Sequence, residues 1–117
     1  RRSQVYNALF YVSQGAVERR TPDRAIALEE LKKELKNAEK CVFLVGDGSN
    51  MCYNTLKEDV PNLVLPAQHK MHQRAVGVGL AALRKIAAGT PGDGCALTPN
   101  YLRLSQAERE RLERQSL

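Results

Sequence analysis

The chain has 117 residues, of which 43% are apolar and 26% charged, and a formal net charge of +5. That length supports one domain with a real core but not two lobes, and the balance is that of a globular protein rather than a disordered or fibrous one. Aromatics are only 5% and Trp is absent, so the core is expected to be aliphatic; the apolar runs are too short to span a membrane and no signal peptide opens the chain, so a cytoplasmic protein is expected.

Residues 4–12 are rich in β-formers, with Tyr6, Ala8, Phe10 and Val12 on one face by the period of two and Val5, Leu9 and Tyr11 on the other. Ser13-Gln14-Gly15 is a turn signal, after which residues 16–20 are predicted to return antiparallel. Thr21-Pro22-Asp23 breaks the pattern, and Arg24-Ala25-Ile26 makes a third short strand. The opening therefore reads as a β-meander. Leu28, Leu31 and Leu35 then recur at helical spacing, with Glu29 and Glu30 ahead of Lys32, Lys33 and Lys36, which predicts a helix over 28–36.

Cys41-Val42-Phe43-Leu44-Val45 is an unbroken apolar run ending in Gly46-Asp47-Gly48, and reads as a strand buried on both faces. A short helix follows, with Met51 and Leu56 expected to point inward, and then a second buried strand over 62–65. The longest helix is predicted over 69–88, where Gly77 and Gly79 are expected to admit another backbone and Gly89 to cap the end. Residues 106–114 form a charged helical segment with almost no apolar stripe, expected to be exposed or frayed. Strands and helices together predict an α/β fold, a five-stranded mixed sheet with helices packed on it.

The residues offer little chemistry. Gly46-Asp47-Gly48-Ser49 lies where open α/β sheets place ligands, but it has neither the spacing of a dinucleotide fingerprint nor the Lys of a Walker loop. It is read as a tight turn, with Asp47, Ser49 or Asn50 capping the next helix. His69 and His72 share a helix side at i, i+3 spacing, without an acid or Cys near them in sequence to complete a metal site. Cys41, Cys52 and Cys95 make an odd count with no Cys-x-x-Cys pair, which points to neither a disulfide framework nor zinc; Cys41 is expected to be a buried thiol. No Gly-x-Ser-x-Gly elbow or paired carboxylate is present, so no catalytic, cofactor or metal residue is assigned. The basic excess sits at the amino end, around Arg1, Arg2, Arg19, Arg20 and Arg24. Arg19, Arg20 and Arg24 are the candidates for contact with nucleic acid or an acidic partner.

Three stretches carry a resemblance. Arg1-Arg2-Ser3-Gln4-Val5-Tyr6-Asn7-Ala8-Leu9-Phe10 resembles the opening of the second lobe of the TsaB (YeaZ) family, where an Asp-Ala-Arg-type segment leads into a strand of the form g-x-V-Y-x-A-x-F. Val45-Gly46-Asp47-Gly48 looks like the family's x-G-x-G turn, and Pro99-Asn100-Tyr101-Leu102-Arg103-Leu104-Ser105-Gln106-Ala107-Glu108 is similar to its closing P-x-Y-L-R-x-x-x-A-E. The resemblance implies a ribonuclease-H-like lobe of the actin-like ATPase superfamily over residues 1–104 and a charged helical tail over 105–117. It implies a non-catalytic scaffold that works with TsaD and TsaE to form N6-threonylcarbamoyladenosine in tRNA, meeting tRNA indirectly, with no cofactor of its own and no membrane. The family's first lobe, which supplies most contact to TsaD and to a second TsaB copy, has no counterpart in this sequence. The alternatives are a nucleotide-binding lobe of an actin-like-superfamily kinase, a glycoprotease-like enzyme, or direct RNA binding through the arginines.

Overall fold

The computed structural model describes residues 3–90 and 92–117. Arg1 and Arg2, part of the basic amino end expected from the sequence, lie outside them. Contacts divide the described residues into two compact units, residues 4–26 with 98–117 and residues 27–97 with Ser3, where the length predicts one core.

In the first unit, strand β1 (Gln4–Asn7) pairs with β4 (Arg24–Ala27), and β2 (Phe10–Ser13) pairs antiparallel with β3 (Ala16–Arg19). The register sets Phe10 opposite Arg19 and Val12 opposite Val17. The expected turn is there: Gln14 and Gly15 both take positive φ, 48° and 78°, as a two-residue primed hairpin turn requires. The single strand expected over 4–12 is interrupted at Leu9. Its N–H donates to Thr21 Oγ1 at 2.8 Å, and its carbonyl accepts from the Arg20 and Thr21 N–H groups. Those bonds close the hairpin base and divide one strand into two. Helix α5 (Gln106–Gln115) is formed rather than frayed, because Ser105 and Glu108 make a reciprocal capping box.

In the second unit, helix α1 (Leu28–Leu35) buries Leu28, Leu31 and Leu35, the stripe that its spacing predicts. Helix α2 (Ser49–Leu56) packs on α1, and strand β6 (Leu63–Val64) packs on α2. With Cys52, Leu56, Val60, Leu63 and Met71 they make an aliphatic core, each large side chain contributing roughly 1.5–3 kcal/mol by leaving water. Lys32 spans the helix edge between Glu29 (2.9 Å) and Asp59 (3.4 Å). Asn62 Nδ2 donates to the Ala38 carbonyl at 2.7 Å and fixes the chain entering β6.

Strand β5 (Val42–Phe43) runs parallel to β6, in register Val42–Leu63 and Phe43–Val64. It is not buried on both faces. Residues 41–48 alternate, with Cys41, Phe43, Val45 and Asp47 exposed and Val42, Leu44, Gly46 and Gly48 half-buried. The Cys41 thiol is therefore exposed, in phase with Phe43 and Val45 on the open side of the alternation.

The expected five-stranded sheet is not formed among the described residues. The α/β class stands, but strands of two to four residues pair only two by two. The expected long helix divides into α3 (Gln68–Met71) and α4 (Ala75–Ala87). No backbone approaches Gly77 or Gly79: a Cβ built on either meets nothing within 4 Å. Gly89 ends α4 at φ +81°, as expected. Met51 lies outside the core and Cys52 takes the inward position, one residue on around the helix.

Candidate functional site

The loop after β5 is assembled by backbone first. Gly46 has φ +98°, a left-handed conformation that a side chain disfavours, and its N–H donates to the Met71 carbonyl at 2.6 Å. The Gly46 carbonyl accepts from Ser49 N–H at 3.1 Å, and the Gly48 carbonyl from Cys52 N–H at 3.0 Å, so the turn runs directly into α2. The turn expected from the sequence is confirmed, but the expected side-chain cap is not. Gly48 occupies the N-cap position and no side chain caps the helix. Asp47 reaches away to His72, and the buried Ser49 hydroxyl donates to Met71 Sδ at 3.2 Å.

His72 Nδ1 and Asp47 Oδ1 stand 3.4 Å apart and both side chains are exposed, so water screens whatever charge they share. The sequence separation of 25 residues hid this pair. His69 stays on α3, while His72 has left the helix with extended backbone (φ −95°, ψ 156°), so the two imidazoles do not share one helix face. Among the described residues, no group of three or more His, Cys, Asp or Glu is close enough to hold a metal. Burial pushes the Cys52 thiol up from its ordinary pKa, which disfavours the thiolate that nucleophilic chemistry needs. Ser49, His72 and Asp47 are neighbours, but the serine is committed to a thioether and buried, away from the geometry of an activated nucleophile.

The structure brings the candidate arginines into the first unit and gives each a local partner. Arg19 pairs with Asp23 at 2.7 Å, donates to the Thr21 carbonyl at 3.2 Å, and lies 4.6 Å from the Phe10 ring centroid. Arg20 lies 3.5 Å from Glu18 and 5.3 Å from the Tyr11 ring. Arg24 donates through Nε and Nη2 to Asn7 Oδ1, at 3.2 and 3.1 Å, which ties β4 to β1. Arg19 and Arg20 keep half of their side-chain surface open. No described helix is long and apolar enough to cross a membrane.

Comparison with known proteins gives the site its context. No protein-family model matches the chain, and no solved structure matches it. The chain is 30% identical over 119 aligned positions to the tRNA threonylcarbamoyladenosine biosynthesis protein TsaB of Bacillus subtilis (strain 168). The match takes in 98% of this chain and 49% of that protein, so the chain spans about half the length of its curated relative.

Proposed function

We propose, from the premise that this chain belongs with the TsaB family over nearly its whole length, that it forms the carboxyl-terminal lobe of a TsaB-like subunit in tRNA threonylcarbamoyladenosine formation. The carrying observation is the extent of the match, which runs through 98% of the chain and so includes the opening strand, the glycine turn and the Pro99–Glu108 segment. In this reading the lobe is a non-catalytic scaffold. TsaD performs the transfer, TsaE acts with it, and tRNA is met through the complex. What supports a scaffold is the chemistry available: Ser49 is buried against a sulfur, burial pushes the Cys52 thiol up from its ordinary pKa, and the arginines are engaged in local contacts. The structural part of the role falls to the Leu28, Leu31, Leu35, Leu56 and Val60 core. The ribonuclease-H-like architecture and a homodimer through a first lobe belong to the same proposal.

The test is co-purification with TsaD. A full-length protein containing this lobe is expected to bind TsaD at micromolar concentration, and the lobe alone is not. Loss of binding by the full-length protein would reject the reading. A nucleotide-binding lobe of an actin-like kinase is the second reading, and one observation favours it: the amino end of α2, after a glycine turn, has no side-chain cap. Titration calorimetry with Mg-ATP separates the two, since the scaffold reading expects no binding below the millimolar range.

A further inference from the structure

We draw no further inference here: the strongest candidate, the outer edge of β3 in the β2–β3 hairpin, where the backbone groups of Val17 and Arg19 face away from β2 and pair with no strand among the described residues, carries nothing, because nothing in the structure shows what would cover it.

Discussion

The Ser49 hydroxyl donates to the sulfur of Met71 at 3.2 Å, and both residues are buried. Together with the Gly46 N–H to Met71 carbonyl bond at 2.6 Å, it pins the chain leaving β6 against the turn that leaves β5. The two contacts differ in kind. A thioether is a weak acceptor, so the hydroxyl contributes little, whereas the methionine side chain fills core volume. Met71→Ala is expected to cost about 2–3 kcal/mol, and Ser49→Ala less than about 1 kcal/mol. Urea unfolding of the two variants checks the order.

Leu56 is fully buried at 0% exposure, while Met51, on the same helix, is 46% exposed. Leu56→Ala is expected to cost roughly 3 kcal/mol, through lost burial and the cavity left behind. Met51→Ala is expected to stay within about 0.5 kcal/mol, as surface changes do. Equal losses in thermal unfolding would place Met51 in the core and contradict the arrangement.

The cap of α5 responds to acid. The Ser105 hydroxyl (2.7 Å) and backbone N–H (2.9 Å) both donate to Glu108 Oε2, and hold its carboxyl below the ordinary value of 4.5. A carboxyl lowered in the folded state stabilises above its unfolded value, and that contribution is lost as pH falls through the folded one. The Glu108 titration followed by NMR is expected to have its midpoint below 4.5, and Ser105→Ala to return it toward 4.5, with fraying of the first turn of α5.

The arginines separate a structural role from a nucleic-acid role. Arg24→Ala removes both bonds to Asn7 and is expected to destabilise the β1–β4 ribbon by about 1–2 kcal/mol. Arg19→Ala and Arg20→Ala break exposed pairs and are expected to cost less than about 1 kcal/mol each. With local partners engaged, the triple replacement is expected to leave the salt dependence of tRNA binding unchanged. A reduced salt slope would instead show that these side chains reach phosphates.

How much of this was legible varies by element. The α1 stripe followed from Leu28, Leu31 and Leu35, and the hairpin turn from Gln14-Gly15, because both signals are local. The break before α4 was not, since His72-Gln73-Arg74 contains no helix breaker. Its cause is a tertiary bond: Gly46 occupies the Met71 carbonyl, the acceptor a continuing helix would offer to Ala75. An apolar run such as Cys41–Val45 shows that a strand can be covered twice, not that it is. The α5 cap is written locally in Ser105-x-x-Glu108, a signal independent of the apolar stripe that the helix lacks. Within the candidate site the glycine turn was readable, while the Asp47–His72 and Ser49–Met71 contacts join residues 25 and 22 positions apart and leave no local signature.

The central claim is that this chain can stand as half of a TsaB protein, and a chimera tests it most directly. With this chain replacing the matching half of Bacillus subtilis TsaB, mass spectrometry would measure threonylcarbamoyladenosine in tRNA after reaction with TsaD and TsaE. Modified tRNA is expected with the chimera and none with the isolated chain. A folded chimera that neither binds TsaD nor supports modification, beside an active native control, would contradict it.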